Sequence, residues 1–471
     1  MDSFGWLSVL PPVLAIVLAI RTKQVYTSLL VGIWLGWTIF TGWDPFAGGV
    51  ETVDRLVAVF GDADNTRVIL FSALIGAIIT LTQYSGGMQG FVNWVVGRGL
   101  VDDRRSAGLL AWFLGVVIFI ESSICVLVSG AVSRPIFDRL RISREKLAYV
   151  LDSTSAPKCV IIPLNAWGAF VLGLLATQGV EEPVRVFVAS IPYNFYALIA
   201  VLLVLVVVLA GWDLGPMREA EARVRETGRL HREGAEPLVA DEVVGLRAKE
   251  GVPLRAVNMV LPVTVMVAAM PAALFLTGGG NLMEGSGSTS VLWAVILAIL
   301  TAGTAYRVQG ILSVKETVDM IMKGVGGLVP LAVLMMLAFA IGDLCDALGT
   351  GPYVARVAEA RLPVVLIPAV VFVVSAFIAF STGTSWGTFA IMIPIAIPMV
   401  GLIGLSAPLM LAAVLGGGVF GDHCSPISDT TIISSMASAC DHIDHVRTQL
   451  PYALAAGGAA VLLYVAAGLL G

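Results

Sequence analysis

Charge is what this chain has least of. Only 13% of its 471 residues are Asp, Glu, Lys or Arg, about half the roughly 25% of a soluble domain. Hydrophobic residues make up 58% and the mean hydropathy is +0.91, which excludes a soluble domain. Apolar runs of about 17–25 residues recur from end to end, each able to cross a hydrocarbon core about 30 Å thick as a helix. The runs are continuous rather than alternating, which excludes a membrane barrel. No phosphate-binding loop occurs, which disfavours an ATP-driven pump. The cysteines Cys125, Cys159, Cys345, Cys424 and Cys440 form no Cys-x-x-Cys pair and read as small buried residues. Met1 to Leu10 lacks the basic flank of a cleaved leader. The net charge of −5 is spread over short loops and points to no nucleic acid. The expectation is an all-α polytopic membrane protein without enzymatic activity.

What the chain does have is internal repetition. Glu51-Thr52-Val53-Asp54 returns as Glu316-Thr317-Val318-Asp319. Apolar segments are predicted at about 4–20, 24–42, 67–83, 106–137, 146–178 and 185–212, then at 256–276, 289–306, 324–345, 363–400, 407–437 and 450–470. That divides the chain into a first repeat (1–212), a hydrophilic linker (213–255) and a second repeat (256–471). The fourth segments are too long for one span and carry polar residues mid-way, which predicts a re-entrant hairpin in each half. Their tips are Glu121-Ser122-Ser123 and Ser381-Thr382-Gly383-Thr384-Ser385. The fifth segments each contain a polar stretch ending in proline, Asp152-Ser153-Thr154-Ser155-Ala156-Pro157 and Gly421-Asp422-His423-Cys424-Ser425-Pro426. Proline lacks an N–H and disfavours helix before it, so each helix is expected to unwind there.

The distribution of basic residues orients this layout. With the N-terminus outside and each hairpin counted as no crossing, 22 of the 28 Lys and Arg residues fall on the cytoplasmic side and five outside. Lys158 alone lies within the membrane. This agrees with the positive-inside rule. It places both termini outside the cell membrane and the linker in the cytoplasm. Each half makes five crossings, so the second runs opposite to the first. The fold class expected is an inverted-topology repeat of five spans plus one hairpin each, with broken helices near the midplane.

A charge at mid-membrane costs roughly 2.5–3.5 kcal/mol even on insertion scales, so such residues are functional candidates. They are Glu121, Asp152, Lys158, Asp343, Asp422, His423 and Asp429. Asp152 and Asp422 hold similar places in the two repeats. Hydroxyls surround each: Ser153, Thr154 and Ser155 beside one, Ser425, Ser428 and Thr430 beside the other. Sodium, a hard cation, prefers such oxygen ligands, although these residues also cap broken helices. Hairpin-tip hydroxyls Ser122, Ser123, Thr382, Thr384 and Ser385 join the candidate ion or substrate set. Lys158 either neutralises Asp152 or Glu121 or binds a substrate carboxylate. Asp343 reads equally as a buried hydrogen-bonding residue. His423 suits a proton-linked step or a neutral hydrogen bond. The run Cys440-Asp441-His442-Ile443-Asp444-His445 has metal-like spacing but falls at a cytoplasmic helix end, where a solvated terminus is favoured over a ligand or pH-sensing role.

Gly421 to Ser435, reading GDHCSPISDTTIISS, closely resembles the signature of the NhaC-type sodium/proton antiporter family. The segment order and both breaks fit as well. The resemblance implies inverted repeats with paired hairpins, as in the wider ion-transporter superfamily, and by analogy a homodimer. It implies Asp422, His423, Ser425, Ser428, Asp429 and Thr430 as members or supports of the ion site. The family also includes a malate/lactate exchanger coupled to protons and sodium. The expected function is exchange of cytoplasmic Na+ for external H+ by competition at Asp422 and/or Asp152, with no cofactor. The alternative is exchange of small organic acids or amino acids coupled to sodium or protons.

Overall fold

The computed structural model describes residues 4–22, 24–96, 103–119, 122–237 and 248–470. The first half is built from α1 (Leu10–Thr22), α2 (Val25–Phe40), α3 (Pro45–Ala58), α4 (Ala63–Tyr84), α5 (Gly87–Val96), α6 (Arg104–Val117), α7 (Ser122–Arg139), α8 (Arg144–Ile161), α9 (Ala166–Thr177), α10 (Pro183–Ser190) and α11 (Phe195–Ala210). The linker contributes α12 (Pro216–Thr227). The second half contains α13 (Val257–Thr277), α14 (Gly287–Val308), α15 (Val314–Leu348), α16 (Thr350–Arg361), α17 (Ile367–Thr382), α18 (Ser385–Ile403), α19 (Ala407–Cys424), α20 (Asp429–Ser438) and α21 (His442–Leu470). Among the described residues the only β pairing is an isolated bridge between Pro237 and Asp441.

Nine helices, or up to 11 if bent pairs count as single spans, are long and apolar enough to cross a membrane among the described residues. The repeated Glu-Thr-Val-Asp stretches are both helical but differ in setting. Glu316 completes a capping box with Ser313 at the start of the 35-residue α15. The first copy sits in α3, a separate helix bent by 120° from α2, where Glu51 pairs with Arg55 across one turn at 2.8 Å. The predicted segment at 324–345 is therefore the inner part of a helix that begins ten residues earlier, at Val314.

Close helix approach is achieved with glycine. Gly76 of α4 and Gly324 of α15 face each other so closely that a Cβ on either would collide with the other's carbonyl. Thr80 Oγ1 of α4 donates to the Met320 carbonyl of α15 across the same contact at 2.8 Å. Gly417 and Gly421 of α19 press against backbone of α17 at Phe372 and Ala376. Neighbour relations recur between the halves. α1 packs on α2 as α13 packs on α14; α7 on α8 as α18 on α19; α6 on α8 as α17 on α19; α8 on α11 as α19 on α21. The two halves meet through α4 with α15 and through α11 with α21.

Candidate functional site

Two helix breaks set up the site. In the second half α19 ends at Cys424, and residues 425–428 cross a gap before α20. Ser428 closes it, its hydroxyl accepting from the Thr431 amide at 3.4 Å. In the first half α8 ends at Ile161 and residues 162–165 lead to α9. There Asn165 caps the new helix, its side-chain oxygen accepting from the Gly168 amide at 3.0 Å. Pro163 and Pro426 each hold the second place of a four-residue gap.

The first break is therefore not at Asp152–Pro157 as the sequence suggests. That stretch is buried helix. Its hydroxyls bond back onto their own helix: Thr154 Oγ1 donates to the Val150 carbonyl at 2.6 Å and Ser155 Oγ to the Asp152 carbonyl at 3.1 Å. Satisfied in this way, they no longer compete with the helix, and Pro157 alone does not break it. The second break comes later than expected too, since Gly421 to Cys424 remain helical. Asp422 thus stands just before its break, whereas Asp152 lies well inside α8. The two carboxylates do not hold matching places.

Asp422 is fully buried. Its Oδ2 accepts from Thr430 Oγ1 at 2.7 Å, and Thr430 Oγ1 lies 3.1 Å from Ser428 Oγ. Asp422 Oδ1 has no hydrogen-bond partner among the described residues. An unpartnered buried carboxylate oxygen beside two hydroxyl oxygens is an arrangement that a cation or a proton completes. Asp429, exposed at the first turn of α20, lines a cavity of about 240 Å³ with Tyr26, Thr384 and Trp386. The turn between α17 and α18 abuts this break. Gly383, at φ +72°, leaves no room for a Cβ beside Ile427, and Ser425 Oγ donates to the Phe380 carbonyl at 2.7 Å. Thr382 and Ser385 are buried and spend their hydroxyls on the Ile378 and Gly418 carbonyls. His423 Nδ1 lies 3.0 Å from the Tyr196 hydroxyl, while its Nε2 has no partner among the described residues.

Asp152 is equally buried but differently surrounded. Gln449 Nε2 donates to its Oδ2 at 2.6 Å, Thr431 Oγ1 reaches the same oxygen at 3.3 Å, and Ser434 Oγ reaches Oδ1 at 3.3 Å. His445 Nε2 stands 3.9 Å away. All four partners come from α20 and α21, so this carboxylate is held between the halves. The run Cys440 to His445 is accordingly no solvated terminus: Asp444 is 7% exposed and His445 0%. Gln449, Thr431, Ser434, Ser435, His445 and Tyr196 are the site residues that sequence reasoning missed. His442, His445 and Gln449 recur at i, i+3 and i+7, a one-face helical spacing that could have singled them out.

Lys158 Nζ lies 2.7 Å from Cys125 Sγ and also donates to the Gly115 carbonyl, joining α6 and α7 to α8. Among the described residues no carboxylate is within ion-pair distance of it. Ser122 and Ser153 are buried. Glu121 and the side chain of Ser123 lie outside the described residues. Asp343 is half-buried and lines a separate cavity of about 330 Å³ with Asp62, Asp64 and Asn65. All five cysteines are buried, and among the described residues none is joined in a disulfide.

The linker seals the same end of the molecule. Arg232 pairs with Asp444 at 3.0 Å, the Glu236 amide donates to Asp441 Oδ2 at 2.8 Å, and His231 Nε2 lies 3.0 Å from Arg144 Nη1. Burial, and then the Arg144 and Arg223 guanidiniums, hold the His231 imidazole below its ordinary range.

The chain is similar to known proteins in sequence and in fold. The model of the Na+/H+ antiporter family matches residues 159–469. A Haemophilus influenzae protein described as uncharacterized is 35% identical over 98% of this chain and 90% of its own length. The malate-2H(+)/Na(+)-lactate antiporter of Bacillus subtilis is 33% identical over 20% of each chain. In fold, the crystal structure of the Alcanivorax borkumensis YdaH transporter is similar, with a TM-score of 0.54 and 15% identity over 89% of this chain and 88% of that one. The chain is a multi-pass membrane protein that belongs to the Na+/H+ antiporter family.

Proposed function

We propose that the protein exchanges cytoplasmic sodium for external protons, with Asp422 as the shared carboxylate. The observation that carries this is the buried Asp422, one oxygen held by Thr430 and the other without a partner among the described residues, beside the break at 425–428. Sodium or a proton neutralises the group in turn. A bare carboxylate is costly to move through a low-dielectric interior, so only the occupied site changes its exposure, and exchange is obligatory. Asp429 and the cavity at Tyr26 and Thr384 form the approach. Asp152 is assigned to the proton rather than to sodium. Its nearest partner is the Gln449 amide nitrogen, a donor that does not ligate a cation.

The recurring neighbour pairs, such as α7 with α8 and α18 with α19, support two repeats, 1–212 and 256–471, of opposite topology around this site. The basic-residue distribution supports a cytoplasmic linker and external termini in the cell membrane. Exchange of small organic acids is a second reading, favoured by a cavity of about 240 Å³ beside Asp429, larger than a bare ion needs. Uptake of radioactive sodium into proteoliposomes under an outward proton gradient tests the proposal. The expected result is uptake by the wild type that is lost in Asp422→Asn. Uptake retained in that variant removes Asp422 from the mechanism.

A further inference from the structure

A line of polar side chains leads from the turn between α20 and α21 to Asp152. His442, partly exposed, opens α21. Its Nε2 lies 2.7 Å from the Pro426 carbonyl oxygen and its Nδ1 3.0 Å from Ser435 Oγ. Ser435 Oγ is 2.9 Å from His445 Nδ1. The buried His445 presents Nε2 at 3.1 Å to Gln449 Oε1 and at 3.9 Å to Asp152 Oδ2. The Thr431 carbonyl lies 3.2 Å from His445 Nδ1. Both tautomers of His445 therefore find partners: Nε2–H donates to Gln449 while Nδ1 accepts from Ser435 once that hydroxyl turns from the Thr431 carbonyl, 2.8 Å away, or Nδ1–H donates to the Thr431 carbonyl.

We propose that His442, Ser435 and His445 form a proton relay between the cytoplasmic surface and Asp152. The relay rests on the proposed exchange only in that a proton must be moved. A proton arriving on His442 gives an imidazolium whose Nε2–H donates to the Pro426 carbonyl and whose Nδ1–H donates to Ser435 Oγ. Ser435 takes that proton and passes its own to His445 Nδ1. His445 gives up its Nε2 proton to Asp152 Oδ2. One proton enters and one leaves, and only N–H and O–H bonds change. His445 is left with its proton on Nδ1, facing the Thr431 carbonyl. The last gap is wider than a hydrogen bond and closes with about 1 Å of side-chain motion.

Asp422 on α19 lies within electrostatic reach of Asp152, and the other charges near the relay are paired or hydrogen-bonded. The charged and titratable groups around it are Asp152 and Arg144 from α8, Asp444 on α21 and Asp441 in the turn before it. Arg144 is occupied by Asp138 at 3.0 Å and by the Ala439 carbonyl at 3.1 Å. Asp444 is occupied by Arg232 of the linker at 3.0 Å. Asp441 accepts from the Glu236, Ile443 and Asp444 amides. On α19, His423 turns its carbonyl toward Gln449 Nε2 at 3.0 Å. An anchoring role alone would need neither two imidazoles in series nor an outer one near solvent.

Proteoliposomes carrying His445→Ala or the partly exposed His442→Ala test this. The proton flux coupled to exchange is expected to fall by about tenfold or more, as for loss of a positioned acid–base group. Sodium self-exchange, which moves no proton, is expected to persist, and added imidazole to restore part of the proton flux. Unchanged proton flux, or an equal loss of both fluxes in His442→Ala, overturns the relay. A second readout needs no transported ion: the infrared carboxyl band of protonated Asp152, assigned by its loss in Asp152→Asn, followed after a pH jump in detergent. Slower appearance in His445→Ala supports the relay, and an unaltered rate overturns it. A wild type that shows this band but no sodium response counts against the sodium reading and leaves the relay standing.

Discussion

Gln449, near the start of the last helix, donates to Asp152, 297 residues earlier, at 2.6 Å. The same amide nitrogen donates to the His423 carbonyl at 3.0 Å, so one side chain ties α21 to α8 and α19. Gln449→Leu leaves both acceptors short of a donor in a buried setting, a loss on the order of 1–3 kcal/mol. A lower melting temperature in detergent is expected, with reduced exchange. An unchanged melting curve would show the amide to be dispensable.

Thr430 Oγ1 connects Asp422 Oδ2 to Ser428. Thr430→Val keeps the shape and removes the oxygen. The half-saturating sodium concentration is expected to rise by about tenfold, equivalent to about 1.4 kcal/mol, with the maximal rate largely kept. A fall in maximal rate at unaltered sodium affinity would place Thr430 outside the ion site.

Gly76 and Gly324 set the contact between α4 and α15. Gly76→Ala or Gly324→Ala is expected to destabilise the protein by about 1–3 kcal/mol through overpacking. Gly326 and Gly327 lie on the same helix with open space around them, so alanine there is expected to be nearly neutral. Thermal melts of the four variants separate the two pairs.

His231 gives the linker a pH-dependent hold. Its imidazole is kept below the ordinary value of 6.5 by burial and by Arg144 and Arg223, so the docked state favours the neutral ring. That contribution is fully present above the ordinary value and is lost as pH falls through the lowered one. Protection of residues 229–237 against hydrogen exchange, relative to the intrinsic rate at each pH, is expected to fall on acidification in the wild type. His231→Gln is expected to stay protected across the same window.

The membrane class and the break beside Asp422 were legible in the sequence because continuous apolar runs and the Ser425-Pro426 step each have a single structural reading. The break of the first half was not. Asp152 to Pro157 has the composition of an unwound stretch, yet its hydroxyls return to their own helix carbonyls. The helix gives way only at Pro163, before the capping Asn165. His445 fell in a run read as a wet helix end, and Gln449 was not singled out, because local composition carries no record of a partner as distant as Asp152. The linker, too, gave no sign that Arg232 and Glu236 would cover that end.

The most direct test of the account is proton movement in proteoliposomes holding the purified protein under an imposed pH gradient, with sodium added. Sodium is expected to collapse the gradient through the wild type and not through Asp422→Asn, with the variant folded as judged by its melting curve. A wild type indifferent to sodium, or an Asp422→Asn variant that still collapses the gradient, would contradict it.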